Sequence, residues 1–554
     1  MLKQIFFYLA LSFVSVQFIA CGNNYSPNST TNYNEMYYSR PSYDSMEERR
    51  INSSVSNIGS VSELSGQAEA EFNTNSFDHI NENVFIQSST SPLSTFSADV
   101  DSASYTLVKS FIENSRLPSA GMIRTEEMLN FFEYSYPAPQ NEAVAIDAQL
   151  SDTFWNKEHK LLRIGIKAKE FDWDKRPSSH FIFLIDVSGS MDGENRLPLV
   201  KKSLTMLLQK LNRKDKISIV TYASGTKVVL EASSDKAKIR QAIASLYASG
   251  STNGGDGLEK AYELAQKHFI KGGINRIILA SDGDFNVGMT SQDELLKFIQ
   301  QKAKSGVYFS VFGFGMGNFK DSLLVKLADN GNGNYGYIDD ELEAKRLLVD
   351  RIGASLITIA KDVKIQVEFN PSKVAAYRLI GYEKRKLNNE DFNDDEKDAA
   401  EMGLGHSVTA LYELIPADSL QNENKASNAK PIIDPLKYSS QVANEKFKEE
   451  WLNIKIRYKE PLNQAHNKEK SKLIEKALSD KDYDPKGDVN TRFAAAVAAF
   501  AMILQDSKYK GSANFDMILE ILNDKEVSND VYKKEFIGLV SKASRLKSLN
   551  NKSQ

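Results

Sequence analysis

Three shortages narrow the reading of this 554-residue chain before any motif does. Cysteine occurs once, as Cys21, so neither an intramolecular disulfide framework nor a thiolate metal cluster holds the fold together. An excess of either charge is missing: 69 basic and 73 acidic residues leave a net of −4, which gives no electrostatic footprint for nucleic acid. Long apolar runs are absent beyond the N-terminal twenty residues. The stretch "RFAAAVAAFAMIL" covers about a dozen positions and opens on Arg492, which predicts a buried helix rather than a membrane span. At this length the chain exceeds one ordinary core and divides into several domains.

The position of the one cysteine is informative. It follows "MLKQIFFYLALSFVSVQFIA", with Lys3 at the front, an apolar stretch from Ile5, and small Ala20 just before it, the layout of a secretory leader. The segment resembles a bacterial lipoprotein signal, in which a small residue precedes the cysteine that becomes the acylated N-terminus. Phe18, three positions before Cys21, is bulkier than the leucine usual there. The resemblance implies a signal peptide over 1–20, a lipid on Cys21, and export to the cell envelope. The body would then be anchored to a bacterial membrane, the outer one by expectation. Residues 21–80 are rich in Ser, Asn, Tyr and Glu without apolar periodicity, the composition of a disordered linker. A flexible chain of about 60 residues spans roughly 40–50 Å, enough to hold a body clear of a lipid surface.

Order is expected from about residue 81. In "DVDSASYTLVKSFIE" the residues Leu107, Val108, Phe111 and Ile112 share one helical face, with Asp101 or Ser102 as its cap and Asp99 in the preceding turn. Met128, Phe131 and Phe132 mark a second helix, and "AVAIDAQLSD" and "KLLRIGIKAKE" alternate like strands up to about residue 175.

From 176 to 360 the pattern becomes an orderly βα alternation. Strand-like runs are "FIFLID", "KISIVTYA", "TKVVLEA", "INRIILASD" and "VYFSVFGFG", separated by amphipathic helical stretches. Near-continuous apolar strands of this kind predict an α/β, Rossmann-like domain, a mostly parallel sheet with helices on both faces. "TKVVLEA" follows its neighbour after a tight "SG" turn and is expected to be an antiparallel edge.

Ligands of such sheets gather in loops at the carboxyl ends of the strands. Three of those loops carry oxygen ligands: Asp186-x-Ser188-x-Ser190 after the first strand, Thr252 in "SGSTNGGDG", and Asp282 in "LASDGDFN". Two carboxylates and three hydroxyls in one crevice suit a hard divalent cation, with water completing the shell. These five elements, in this order, resemble the metal-ion-dependent adhesion site of von Willebrand factor type A domains. The resemblance implies that Ser188, Ser190 and Thr252 contact Mg²⁺ or Mn²⁺, with Asp186 and Asp282 acting directly or through water. It also implies a partner protein that offers an aspartate or glutamate to the ion. Asp192 and Asp284 lie nearby in sequence and read as surface residues.

Hydrolysis by the same site would need a general base. His180 opens the first strand, about 20 Å of rise from Asp186, and His268 ends a helix. The other four histidines lie outside this region, so Ser188 and Ser190 have no activating partner and the chain is not expected to be an enzyme.

From 361 to 545, "DVKIQVEFNPSKVAAYRLIGYE", "HSVTALYELIP" and "EEWLNIKIRYKE" alternate like strands, and helices are expected from about 465 onward. These strands and the pair before residue 170 are predicted to build one β-sandwich jointly, with the α/β domain inserted in it. "NEDFNDDEKDAAEM" matches the first half of a calcium loop at Asp391, Asn393 and Asp395. Glu396 and Met402, however, stand where glycine and glutamate are required, so an acidic surface loop is expected. The flanks, with "FSADVDSASYTLVKSFIENSRLPSAGMIRTEEMLNFFEYSYP" before the α/β region and "GYEKRKLNNEDF" and "TRFAAAVAAFAMILQDS" after it, resemble a group of bacterial von Willebrand factor A lipoproteins. Membership implies this architecture and site but names no ligand, and the site's chemistry predicts an envelope protein that binds a partner through its metal. The alternative is a structural or assembly factor in which the metal is only a staple.

Overall fold

The computed structural model describes residues 81–170, 175–251, 255–283, 292–315, 321–351, 353–354, 357–419, 447–461, 471–528 and 530–553. Cys21, Thr252 and Asp284, together with the leader and linker, lie outside the described residues.

The chain enters through β1 (Ile86–Gln87) and β2 (Leu93–Ser97). Helices α1 (Ala103–Glu113) and α2 (Thr125–Phe131) follow, then strands β3 (Val144–Asp152) and β4 (Lys160–Ala168). The central alternation begins with β5 (Ser179–Asp186), α3 (Leu197–Lys210), β6 (Lys216–Tyr222), β7 (Thr226–Ser233), α4 (Lys236–Ala244) and α5 (Gly255–Lys267). It continues with β8 (Ile274–Ser281), α6 (Gln292–Ala303), β9 (Tyr308–Phe314), α7 (Asp321–Asn330), β10 (Tyr335–Ile338) and α8 (Glu341–Lys345). After it come β11 (Thr358–Phe369), β12 (Val374–Ile380), β13 (Lys386–Leu387), β14 (Ala400–Gly403), β15 (Ser407–Pro416), β16 (Glu450–Lys459) and β17 (Ser471–Ser479). Helices α9 (Val489–Gln505), α10 (Phe515–Leu522) and α11 (Val531–Ser553) complete the described chain.

The central sheet has the order β10-β9-β8-β5-β6-β7. Every pairing is parallel except β6 with β7, which is antiparallel as the tight turn predicts. Every residue of β5 is buried, because helices cover both faces. Ile182 and Leu184 join the apolar cluster on one face, with α5, and Phe181, Phe183 and Ile185 join the cluster on the other, with α3. Asp186 continues the first of these alternations, so it points to the α5 side at the sheet's carboxyl edge.

Two further sheets, β1-β12-β15-β4-β3 and β13-β2-β11-β16-β17, enclose a common apolar core. The register of Leu161 with Glu413 and Ile164 with Ala410 joins a strand before the central domain to one after it. The sandwich is therefore built from both flanks with the α/β domain inserted. The two tethers of the insertion leave side by side: the Lys169 carbonyl accepts from Gly405 N–H and the Ile357 carbonyl from Leu404 N–H.

Two expectations need correction, and one strand was not anticipated. The stretch from 465 to 488 does not open a helical end: β17 pairs along β16, and helix begins at Val489. β2 is an unanticipated strand, held by Thr95 and Ser97, whose hydroxyls accept from Gln366 and from Ala400 N–H. Asp101 and Ser102 do not cap α1 through their side chains; Asp99 and Asp101 instead pair with Arg385, and the Ser102 hydroxyl accepts from Arg346 at 2.9 Å. Residues 388–395 form a surface turn anchored by buried Phe392, in which Asp391 accepts from Asn388 N–H and Asn393 from Arg457.

Helix α9 is the buried helix its composition predicts. Ala494–Ala496 and Ala498–Ala499 let α2 and α10 approach closely, while Phe493 and Phe500 fill the remaining space. Among the described residues no helix is long and apolar enough to cross a membrane. A buried ion cluster ties the helical layer to the central domain. Lys109 of α1 reaches Asp340 at 2.8 Å and Asp339 at 3.2 Å beyond β10, and Glu535 of α11 at 3.6 Å.

Candidate functional site

The first strand of the α/β domain delivers Asp186 to the sheet's edge with none of its surface exposed. The chain then stays pinned. Val187 N–H donates to Tyr222, Ser249 N–H donates to the Val187 carbonyl at 2.7 Å, and Gly189 N–H donates to Gly250 at 2.9 Å. Gly250 sits at φ +84°, a conformation that favours glycine, and a side chain there would strike Ser224. Met191, fully buried, plugs the far side of the loop into the core.

Within this frame Asp186 Oδ1 accepts from Ser188 N–H at 2.9 Å, and the Ser188 and Ser190 hydroxyls lie 3.0 Å apart. Ser188 is buried and Ser190 exposed, so the pair runs from the floor of the site to its mouth. On the neighbouring strand, buried Ser281 donates to Asp186 Oδ2 at 3.3 Å, and Asp282 follows it, 7% exposed. Gly283, at φ +104°, turns the chain away. The structure thus brings together four of the five expected ligands, Asp186, Ser188, Ser190 and Asp282. Asp192 is exposed, as expected.

Burial pushes the Asp186 carboxyl up from its ordinary range, and the charge of Asp282 adds to the push. Tyr222, at the end of β6, lies beside Asp186; burial and that carboxylate push its phenol up as well. Asp282 Oδ1 is buried without a hydrogen-bond partner among the described residues. Asp282 Oδ2 lies 3.4 Å from Arg196 Nη1, and the same guanidinium nitrogen donates to the Ser190 carbonyl. Among the described residues no three histidine, cysteine, aspartate or glutamate side chains converge for a metal. A hard cation would meet two carboxylates and neutral hydroxyls here, a donor set with which the unsatisfied Asp282 oxygen is consistent.

Three residues of the site escaped the sequence reading: Ser281, Tyr222 and Arg196. Ser281 and Tyr222 carry a usable signal. Each falls, by strand alternation, on the apolar face of Ile277–Leu279 or of Val220, where a hydroxyl needs a polar partner. Arg196 looks like an ordinary charge before a surface helix. Helix α5 comes close to these strand ends because Gly257 has no side chain. A Cβ there would lie 3.0 Å from Tyr222 and 3.2 Å from Leu184.

The histidines stand apart. His180, fully buried, shares a 2.9 Å hydrogen bond with Ser218 at the other end of β5, and His268 bonds to Glu231 at 2.7 Å.

A six-stranded, mostly parallel sheet with this loop set defines a von Willebrand factor type A domain, and residues 181–351 match that domain family. Domains of this class mediate protein–protein interactions. Residues 71–163 match a family described as von Willebrand factor, and residues 354–546 the C-terminal domain of uncharacterized protein YfbK. The chain is 41% identical to YfbK of Escherichia coli over 480 residues, covering 84% of this chain and 80% of that one. It belongs to the YfbK-like family of von Willebrand factor type A domain proteins. It is also 30% identical over 187 residues to the protein sll0103 of Synechocystis, covering 33% of this chain and 43% of that one. Among solved structures it is similar to a von Willebrand factor type A protein from Catenulispora acidiphila. That match has 15% identity and a TM-score of 0.38, over 72% of this chain and 90% of that one.

Proposed function

We propose that this protein is a metal-dependent protein-binding component of the cell envelope. Asp186, Ser188, Ser190, Thr252 and Asp282 would hold Mg²⁺ or Mn²⁺, and a partner protein would contribute an aspartate or glutamate. The observation that carries the reading is the buried Asp186 with the Ser188 and Ser190 hydroxyls 3.0 Å apart above it, and Asp282 on the adjacent strand end. Bound there, a divalent ion supplies an electrophilic position for an anionic oxygen. Hydroxyl donors neutralise little of its charge, so the residues leave it receptive to an outside carboxylate. Binding is favoured over catalysis because the described histidines nearest in sequence to these loops are engaged elsewhere, His180 with Ser218 and His268 with Glu231.

The envelope location rests on the leader and Cys21, whose acylation would tether the body through residues 21–80. Pull-down from envelope extract tests the binding. Wild-type protein in Mg²⁺ is expected to retain a partner that Asp186→Ala, Thr252→Ala and EDTA each release. Identical partners in every arm would refute metal-gated binding and favour a permanently docked assembly factor. Cys21→Ser is expected to move the protein from the membrane to the soluble fraction; unchanged membrane association would sink the lipid anchor.

A further inference from the structure

Arg196 precedes α3 and reaches back over the loop it leaves. Its Nη1 donates to the Ser190 carbonyl and lies 3.4 Å from Asp282 Oδ2, so one cation spans the loops after β5 and β8. Its route is fixed by glycines. At Gly315, just past β9 and at φ +79°, a Cβ would lie 2.5 Å from Arg196 Nε and 2.6 Å from its Cγ; at Gly193 it would lie 3.3 Å from Cδ. The Gly315 carbonyl is itself held by the Tyr337 hydroxyl at 2.5 Å. The guanidinium is thus packed between three strand ends, with its side chain 24% exposed.

We propose that Arg196 is the resident counter-ion of the site: it ties the Ser190 and Asp282 loops together and lowers their affinity for a divalent cation. The inference rests on the metal-site reading above and adds a control to it. Asp186 and Asp282 are like charges on adjacent strand ends, and the Arg196 guanidinium lies against the Asp282 member of the pair. A divalent ion coordinated by the same carboxylates must share Asp282 with the guanidinium or displace it, and two cations at one carboxylate repel. Arg196 therefore acts with opposite sign in the two states, stabilising the loops without the ion and opposing its binding. An arginine serving only to pack the loop would lower both stability and affinity when removed, and a passive surface arginine would change neither.

The test uses the full chain with Arg196→Gln and Arg196→Lys, titrated with Mn²⁺ by calorimetry and melted in EDTA and in Mn²⁺. Arg196→Gln is expected to melt lower in EDTA, yet to bind Mn²⁺ about tenfold tighter and to show a larger Mn²⁺-induced rise in Tm. Arg196→Lys keeps the charge without the fork and should fall between it and wild type. Wild-type binding with an equal or weaker affinity in Arg196→Gln overturns the counter-ion role alone. Folded wild-type protein that takes up no Mn²⁺ overturns the metal site itself, and the counter-ion role with it.

Discussion

Replacing Lys109 with methionine probes the joint between the helical layer and the inserted domain. The ammonium is buried, with its side chain 2% exposed, and faces Asp340 at 2.8 Å, Asp339 at 3.2 Å and Glu535 at 3.6 Å. Burial works against the charge, yet Asp339 and Asp340 outweigh it and hold the ammonium above its usual range. Asp340 is 41% exposed and can turn to water, but Asp339 is 10% exposed, and its Oδ1 already lacks a partner among the described residues. Methionine fills the volume of the stem and leaves Asp339 as an uncompensated buried charge, a loss of about 3–5 kcal/mol. The cost has a pH signature. Burial has pushed the Asp339 carboxyl up to about 7, above its unfolded value, so the folded state binds its proton first. Folding gains stability as pH falls through the folded value, and the charged form is most costly above it. Lys109→Met removes an opposing charge and pushes the carboxyl higher still, so its penalty should be larger at pH 8 than at pH 6, by about 1 kcal/mol. Urea unfolding at the two pH values measures this. A loss below about 1 kcal/mol at pH 8, or an equal loss at both, would refute the claim that the joint depends on this charge.

Other expectations follow from single contacts. Ser281→Ala removes the donor to Asp186 Oδ2 and should weaken Mn²⁺ binding about tenfold while leaving the fold intact; an unchanged isotherm would show that Ser281 does not orient the carboxylate. Gly257→Val meets Tyr222 and Leu184 where only hydrogen fits, and by lifting α5 it should also lower Mn²⁺ affinity; tight binding despite the substitution would separate helix position from the site. Burial, with His268 and Lys216 nearby, pushes the His180 imidazole down to about 4, so the unfolded chain takes up that proton near pH 6.5 and the folded chain only near 4. Its stabilising contribution is whole above pH 6.5 and is lost as pH falls, at about 1.4 kcal/mol per unit. Stability curves of wild type and His180→Gln should therefore diverge between pH 6.5 and 4.5, and parallel curves would contradict the assignment.

The parts of this fold that sequence conveys are those whose pattern is local. β5 reads as a fully buried strand because Phe181–Ile185 run apolar without a break up to Asp186, and β7 reads as an antiparallel edge because its turn is too short for a crossover. The joint sandwich was legible because strands on both flanks alternate, and the β3–β4 pair alone has no second sheet to cover it. What was hidden depends on distant partners. β2 is short and half polar, and most partners of its hydroxyls lie far along the chain, Gln366 and Asn389 for Thr95, Ala400 for Ser97 and Tyr412 for Ser94. β17, "SKLIEKALS", is rich in residues that favour helix, and it is an edge whose Leu473 is 46% exposed. Its pairing with β16 overrides that propensity. Of the site, Asp186, Ser188, Ser190 and Asp282 could be placed by loop position, whereas Arg196 acquires its role only when β9 brings Gly315 against its stem.

The insertion shapes the order in which the chain can assemble. β4 emerges long before β15, and until β15 arrives the edge of β4 that faces away from β3 is open to pairing with other chains. The central domain has its own two-faced core and can close first. Once it has closed, its tethers leave together at Leu404–Gly405, so β4 and β15 are delivered as neighbours and the long intervening loop no longer carries its full closure entropy. The domain that bears the candidate site is thus also a clasp for a late, long-range sheet pairing.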